Sequence, residues 1–283
     1  MTYAMEAASE NNIEFIILDR PNPINGLSIN GQINREDSFV GMHEIPIRHG
    51  MTSGELAQMI VSNDWCNCKD IKLNVVKMSG WKRKSYFDEY DNLWYSPSPN
   101  IPDIETALAY NGLCLLEGTN VSEGRGTDSP FLTFGAPWID SKLLKNEILK
   151  YDLEGFELKE IEFIPSSSKY KDKDCNGLHL KITSYDLFNP LKFSVILIKI
   201  LNQEFPNEFK LYDERYGDND FIKDLYGSNE LRYIIDTDYC EKYCEENNFN
   251  KFICQNNTID YLFDQWDDMA IKFKKDRMKY LIY

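Results

Sequence analysis

The sequence predicts an α/β protein in which an incomplete parallel-sheet layer is followed by a smaller α+β domain. Two observations predict this class. Strand-like apolar runs alternate with helical patterns in the first half, and the character of the chain changes near residue 140. The 283 residues suffice for one large or two modest domains, and 42% hydrophobic residues can fill a core. We therefore predict two domains, residues 1–140 and residues 141–283.

The opening residues predict a helix followed by a buried strand. Residues 1–10 have an amphipathic helical pattern, and residues 13–18 form a dense apolar run that suits a strand buried on both faces. This pair is half of a βαβ unit, and we expect the first strand of that unit to be missing from the sequence. Thr52 and Glu55 form a capping-box pattern, which predicts a helix over residues 52–63.

Further elements follow the same alternation. In open α/β sheets the loops after the strand ends build the binding crevice, so polar loops are the places to look for a site. Before residue 140 the patterns predict strands at 71–78 and 113–116, a helix at 103–111, and long loops at 20–41, 95–102 and 118–137. After residue 140 they predict helices at 140–151, 190–203, 221–226 and 259–279, with strands at 158–164 and 178–183.

Charge and composition exclude several partners. A net charge of −15 repels nucleic acid and anionic membranes. The apolar run 193–201 is too short for a membrane span and carries Lys199. Seven cysteines, an odd number, argue against a complete disulfide framework, so reduced thiols are expected. Without a signal peptide the chain is predicted to be cytoplasmic as given, but extracellular or periplasmic if its N-terminus is missing.

The densest group of functional side chains lies between Glu117 and Thr127. Glutamate and asparagine can hold sugar hydroxyls, and Arg125 can bind a carboxylate through two hydrogen bonds. The alternative is a structural loop with an internal Glu–Arg pair, and the sequence leaves both interpretations open. Pro130 interrupts the glycine pattern that a nucleotide loop requires, so no cofactor is predicted, and no metal site is predicted either.

Two shorter clusters accompany this string. Arg20 and Asn22 follow the first predicted strand in a proline-stiffened turn, which could instead be a rigid turn with Asp19 and Arg20 paired. Arg48 and His49 precede the capped helix, whose N-terminus favours anions. His49 could shuttle protons, although a hydrogen-bonded structural histidine is more common.

Tryptophans flank the same loops. Trp81, Trp94 and Trp138 could stack on the C–H faces of sugar rings, although core packing is the commoner role of a single tryptophan. No Gly-x-Ser-x-Gly motif and no local Cys–His pair occurs, which argues against serine and cysteine hydrolases.

These segments, in this order, resemble the exo-β-N-acetylmuramidase family of peptidoglycan recycling. The resemblance covers nearly the whole chain, and the string from Glu117 to Thr127 is its most specific part. The other matching segments are 18–24, 39–41, 45–52, 78–81, 97–102 and 135–138, with weaker likeness at 163–165, 169–170, 175–177 and 280–283.

The resemblance implies hydrolysis of terminal N-acetylmuramic acid from the non-reducing end of peptidoglycan fragments. It also implies a Rossmann-like domain, a C-terminal auxiliary domain and a cleft between them. Muramic acid carries a lactyl carboxylate, which Arg20, Arg48 or Arg125 could bind. The substrate-binding residues predicted on these grounds are Arg20, Asn22, Arg48, His49, Trp81, Asn100, Asn120 and Arg125.

The resemblance also implies that the main catalytic acid lies in a Glu-His-Gly motif of the family's N-terminal segment. That motif does not occur in this sequence, so we expect an N-terminally truncated chain with an incomplete Rossmann-like domain, short by about a hundred residues. Glycosidases usually need two carboxylates, and Glu117 and Glu123 are the loop glutamates predicted for that role. Three alternatives stay open: a non-catalytic glycan-binding or inactive homologue, a nucleotide-using enzyme, and a chain that works with a separate N-terminal polypeptide.

Overall fold

Helices and strands alternate along the chain, which confirms the α/β class. The computed structural model describes residues 1–90, 93–212, 221–235 and 259–283. The helices are α1 (Thr2–Glu10), α2 (Ser53–Ser62), α3 (Ile104–Leu113), α4 (Ser141–Ile148), α5 (Pro190–Glu204), α6 (Phe221–Tyr226), α7 (Glu230–Ile235) and α8 (Ile259–Asp276). The strands are β1 (Phe15–Leu18), β2 (Asn30–Ile33), β3 (Pro46–Arg48), β4 (Leu73–Val76), β5 (Thr133–Ala136), β6 (Phe156–Phe163) and β7 (Cys175–Ile182). Short 3₁₀ helices cover Phe87–Glu89, Cys114–Gly118 and Arg277–Tyr280.

The chain folds into two compact units that interleave along the sequence. The first unit contains residues 1–33, 43–93 and 267–283, and the second contains residues 34–42 and 94–266. The division predicted after residue 140 falls inside the second unit, between β5 and α4, and it stays a prediction.

In the first unit β1 and β4 pair in parallel, with Ile17 beside Val75 and Leu18 beside Val76. One face of this pair packs in a core with α1 and α2. Neighbouring side chains of a strand point to opposite faces, so Ile16 and Leu18 lie on the other face, where they are 53% and 72% exposed. The prediction that β1 is buried on both faces is therefore wrong, because the helices cover only one of them.

The helix α2 begins as its sequence predicts. Thr52 Oγ1 accepts a hydrogen bond from the Glu55 amide, and the Glu55 carboxylate accepts one from the Thr52 amide, which is the expected capping box. The antiparallel pair of β2 and β3 lies within segments predicted to be loops or polar clusters. These strands are short and poor in β-branched residues, so their sequence carries little strand signal.

The second unit contains a three-stranded antiparallel sheet in the order β5–β7–β6. Helices α3 and α5 approach so closely that a Cβ at Gly112 would collide with the Pro190 carbonyl, which is why glycine is required there. Residues 113–116 were predicted to be a strand, but they form the end of α3 and a 3₁₀ helix. A short apolar run has no period that separates a buried strand from a buried helix.

The cysteines and the possibility of a membrane span were also considered in the sequence predictions. Among the described cysteines, Cys66 and Cys68 have their sulfur atoms in contact, Cys114 and Cys175 are free, and the expectation of reduced thiols stays a prediction. Within the described ranges, no helix combines the length and the apolar character that crossing a membrane requires. The cellular location stays a prediction.

Candidate functional site

In the first unit, the segment after β1 meets the N-terminus of α2. Asp19 follows β1 directly, and its Oδ1 accepts hydrogen bonds from the amides of Gly54 (2.8 Å) and Arg20 (3.0 Å). Its Oδ2 accepts hydrogen bonds from Thr52 Oγ1 at 2.7 Å and from the Tyr283 hydroxyl at 3.0 Å. The helix N-terminus, which the sequence predicts to attract an anion, therefore holds a carboxylate of the chain itself.

Arg20 and Asn22 extend from the same segment. Asn22 donates from Nδ2 to the Met51 carbonyl at 3.1 Å, which holds the turn after β1 against the turn before α2. Arg20 is exposed, and its guanidinium makes no hydrogen bond or ion pair with any residue that the structure describes. Only its backbone amide binds Asp19, so the Asp19–Arg20 contact leaves the charged group available to a ligand.

Arg48 has a different environment. Its side chain is buried, and it donates from Nη2 to the Ile24 carbonyl at 2.5 Å and from Nη1 to Asn30 Oδ1 at 3.3 Å. These contacts connect β3 to β2 and to the segment that precedes it. Arg48 therefore supports the fold of this unit, and its guanidinium is already occupied by oxygens of the chain.

His49 lies in the turn between β3 and α2. Its Nδ1 accepts a hydrogen bond from the Met51 amide at 3.1 Å, and its carbonyl accepts one from Arg277 Nη1 at 2.6 Å. Burial, and to a smaller extent the positive charge of Arg277, together lower the pKa of the imidazole to about 4. A histidine with this pKa is neutral near pH 7 and is poorly matched to proton transfer there.

Sequence analysis missed a group of residues that supports this turn. Arg83 donates to the Gly50 carbonyl at 3.0 Å, to the Tyr283 carbonyl at 3.4 Å and to the Glu55 carboxylate. Arg277 donates to the carbonyls of His49 and Gly50, and burial followed by repulsion from Arg83 lowers its pKa to about 10. These partners are roughly 30 to 230 residues apart in the sequence, so no local pattern could identify them.

The Trp81 side chain is buried rather than exposed to solvent. Only 9% of its surface is exposed, because its ring meets Tyr283 edge to face at 5.4 Å and lies 5.2 Å from the Arg83 guanidinium. Its indole nitrogen is buried and has no hydrogen-bond partner. These contacts favour packing over the stacking role that the sequence suggested.

In the second unit, the segment from Glu117 to Thr127 holds a buried charge cluster. Glu123 is fully buried and forms ion pairs with Arg125 Nε at 3.1 Å and with Lys169 Nζ at 3.0 Å. Glu117 accepts a hydrogen bond from Arg125 Nη2 at 2.8 Å. The internal Glu–Arg pair, one of the two interpretations left open by the sequence, is present, and Lys169 was not foreseen as its partner.

The two predicted asparagines of this unit differ. Asn120 donates to the Glu208 carbonyl at 2.7 Å and accepts from the Lys210 amide at 2.9 Å, so its amide joins two segments of backbone. Asn100 lies in a turn before α3, where its backbone amide approaches Ser98 Oγ at 3.4 Å. Asn120 is therefore occupied by the chain, whereas the side chain of Asn100 makes no hydrogen bond with the described residues.

The predicted site residues thus divide between the units. The first unit holds Arg20, Asn22, Arg48, His49 and Trp81, and the second holds Asn100, Glu117, Asn120, Glu123 and Arg125. The structure gathers the first group around the N-terminus of α2, and it joins Glu117, Glu123 and Arg125 in one cluster. A single cavity that gathers all of them stays a prediction.

Polar side chains at the carboxyl end of a parallel strand pair are the usual site architecture of α/β ligand-binding enzymes. Two family models identify which class this chain represents. The model described as "Exo-beta-N-acetylmuramidase NamZ, N-terminal" matches residues 1–105, and its C-terminal counterpart matches residues 108–283. The chain belongs to the NamZ exo-β-N-acetylmuramidase family, which confirms the resemblance.

Known relatives agree with this assignment. The chain is 36% identical over 285 residues to the peptidoglycan beta-N-acetylmuramidase NamZ of Bacillus subtilis (strain 168), matching 100% of this chain and 63% of that protein. The chain therefore spans less than two thirds of the length of this relative. Crystal structures of two DUF1343 family proteins from Bacteroides fragilis are also similar. The first has a TM-score of 0.83 and 30% sequence identity, and the match covers 99% of this chain and 69% of that protein. The second has a TM-score of 0.66 and 27% sequence identity, and the match covers 100% of this chain and 70% of that protein.

Proposed function

We propose that this chain supplies the substrate-binding part of an exo-β-N-acetylmuramidase, which removes N-acetylmuramic acid from the non-reducing end of peptidoglycan fragments. The family and the named activity of the Bacillus relative support this proposal. The substrate is a muropeptide or another glycan that carries the amino sugar. We also propose that β1, α2 and β4 belong to a Rossmann-like domain, because a parallel strand pair with a helix on one face is the repeating unit of that fold.

The proposal rests on which of the three candidate arginines has a guanidinium group that is not already paired within the chain. Arg48 is buried against oxygens of the chain, and Arg125 is paired with two glutamates. Arg20 alone of the three has a free guanidinium, and it follows β1 at the carboxyl end of the parallel strands. A carboxylate that binds both nitrogens of one edge of a guanidinium gains strength and orientation, so Arg20 is the group that binds the lactyl carboxylate.

Glu117 and Glu123 stay predicted catalytic residues, and their contacts favour Glu117. Glu123 lies between two cations and has no exposed surface, so neither substrate nor water reaches it. Glu117 keeps 9% of its surface exposed and is held by Arg125 on one oxygen. Asp19 accepts four hydrogen bonds from the chain, so both of its oxygens are engaged in holding the turn after β1 against the N-terminus of α2 and Tyr283.

A second polypeptide segment is proposed to cover the open face of the β1–β4 pair. Ile16, Leu18 and Val76 are 53%, 72% and 47% exposed on that face, although parallel sheets are normally covered on both sides. The Bacillus relative is longer than this chain, which spans 63% of it. The proposed occupant is a segment corresponding to the unmatched part of that relative. Co-elution of the purified relative's segment with this chain in gel filtration, lost in Leu18→Lys, would support this; failure to co-elute with the unaltered chain would overturn it.

The site proposal is tested by calorimetry and by product analysis. The unaltered chain is expected to bind N-acetylmuramic acid, and Arg20→Gln is expected to weaken binding about 10- to 100-fold, as for a hydrogen bond between charged groups. Arg35→Gln, which alters another exposed arginine that is paired with Glu230, is the matched control and should bind normally. Release of N-acetylmuramic acid from its disaccharide with N-acetylglucosamine, followed by chromatography, tests turnover. Binding without release would favour the non-catalytic alternative, and absence of binding would refute the proposal.

A further inference from the structure

We propose that His49 recognises the acetamido group of the amino sugar by donating a hydrogen bond from Nε2–H to its carbonyl oxygen. This inference rests on the site proposed above and deepens it by assigning a second recognition contact. Arg20 would select the lactyl carboxylate, and His49 would select the N-acetyl group. His49 then acts as a fixed neutral donor and not as the proton shuttle that its residue type suggests.

The backbone decides the tautomer of the imidazole. A peptide N–H can only donate, so the 3.1 Å contact from the Met51 amide requires an unprotonated, accepting Nδ1. A neutral imidazole carries its single proton on the other nitrogen, which is Nε2. The contact between residues 49 and 51 thus sets both the orientation of the ring and the position of its proton.

The proton-bearing nitrogen is available to a ligand. His49 Nε2 makes no hydrogen bond with the residues that the structure describes, and His49 has no further contact beyond those given above. His49 as a whole is half-buried, and its Nε2 is not fully enclosed by the described residues, so a ligand can contact it. An accessible N–H donor on a firmly held ring can bind an oxygen without reorganisation.

The His49 ring lies beside the turn that carries Arg20, the residue proposed to bind the lactyl carboxylate. Asn22, two residues beyond Arg20, donates to the carbonyl of Met51, and the amide of the same Met51 binds the His49 ring. One residue therefore connects both recognition elements. A sugar whose lactyl and acetamido groups are on neighbouring ring carbons presents two acceptors close together, which suits this arrangement.

Burial and the neighbouring charges explain why the His49 ring stays neutral. Arg277, the first residue of the 3₁₀ helix after α8, donates to the His49 carbonyl, and Arg83 donates to the next carbonyl, that of Gly50, at 3.0 Å. Two carboxylates of the described residues approach this turn. Glu55 is paired with Arg83 and accepts hydrogen bonds from the amides of Thr52 and Ile282. Asp19 accepts hydrogen bonds from Thr52 Oγ1 and the Gly54 amide. Burial disfavours the protonated ring, and the positive charge of Arg277 disfavours it further, so the neutral form is favoured and the pKa of His49 is lowered.

The first test examines His49 in the unaltered protein. The sequence contains three histidines, His43, His49 and His179, so nitrogen NMR can assign each ring. We expect His49 to show the Nε2–H tautomer and to remain neutral down to about pH 5. An Nδ1–H tautomer, or titration of His49 between about pH 6 and 7, would overturn the inference whatever the protein binds.

The second test uses two variants and three sugars. His49→Asn keeps an acceptor near the position of Nδ1 and removes the donor, whereas His49→Gln places an amide donor near the position of Nε2. We expect His49→Asn to weaken binding of N-acetylmuramic acid and N-acetylglucosamine about 10-fold, and to leave muramic acid, which lacks the acetyl group, within about 2-fold. His49→Gln should recover most of the loss.

The outcomes separate this inference from the proposed function. Arg20→Gln should weaken the lactyl sugars but spare N-acetylglucosamine, which is the opposite selectivity to His49→Asn. If the unaltered chain binds N-acetylmuramic acid but His49→Asn weakens all three sugars equally or none, the assignment of His49 is wrong while the site stands. If the unaltered chain binds none of the sugars, both proposals fail.

Discussion

Replacing the buried Glu123 tests whether the segment from Glu117 to Thr127 is catalytic or structural. Glu123→Gln keeps the size of the side chain and removes its charge, which leaves Lys169 and Arg125 without the carboxylate that joins them. Removing one partner of a buried ion pair costs about 3–5 kcal/mol. Lys169 keeps two backbone carbonyls and Arg125 keeps Glu117, so we expect the lower end, about 3 kcal/mol.

The assay is thermal unfolding by calorimetry. A loss of about 3 kcal/mol corresponds to a fall in Tm of about 6–12 °C for a unit of this size. The matched control is Glu160→Gln in the same unit, where the carboxylate pairs with Lys145 at 3.5 Å and 45% of its side chain is exposed. That change should cost less than about 1 kcal/mol, because solvent already screens the pair.

Glycoside release measured on the same variants completes the comparison. The structural assignment of Glu123 is refuted if Glu123→Gln keeps the Tm of the unaltered protein, within the change seen for Glu160→Gln, and loses turnover. That result would return Glu123 to the catalytic role that its sequence motif predicts.

Three other positions, His49, Tyr283 and Gly112, allow similar tests. His49 has a pKa of about 4 in the folded state and about 6.5 when unfolded, so its contribution to stability is present above pH 6.5 and is lost as the pH falls toward 4. Plots of the free energy of unfolding against pH for the unaltered protein and for His49→Asn should diverge by up to about 3 kcal/mol over that window. Parallel plots would contradict this. Tyr283→Phe removes the hydroxyl that joins Asp19 to the Met78 amide and should cost about 1–3 kcal/mol in urea unfolding, whereas Tyr95→Phe at an exposed site should cost almost nothing. Gly112→Ala should separate α3 from α5 and lower the Tm by several degrees, about 1–3 kcal/mol; an unchanged Tm would show that the helices adjust freely.

Local patterns predicted several elements correctly because short-range physics sets them. The capping box of Thr52 and Glu55 needs only four consecutive residues, and it starts α2 where predicted. Helix α5 follows from a proline at its first position and an apolar stretch, and its predicted and observed starts coincide at Pro190. The family was evident from the string between Glu117 and Thr127, because that combination of glycines and polar residues is specific.

The roles of the same residues were harder to predict. The sequence showed three arginines as candidates for one carboxylate, and nothing in their neighbours distinguished them. Arg48 became part of the fold through a carbonyl 24 residues away, and Arg125 was paired within its own loop. Arg20 was left free because its turn directs only the backbone amide to Asp19.

The sequence by itself determined the α/β class, the capped helix, the family and the kinds of side chain available for binding. Each depends on the identity and spacing of residues that are close together in the chain. Only the tertiary structure decided that one face of β1 is open, that Glu123 is enclosed by cations, and that Arg277 and Tyr283 complete the site of the first unit. Burial and pairing depend on which distant segments pack together, and that information is spread over contacts more than 200 residues apart.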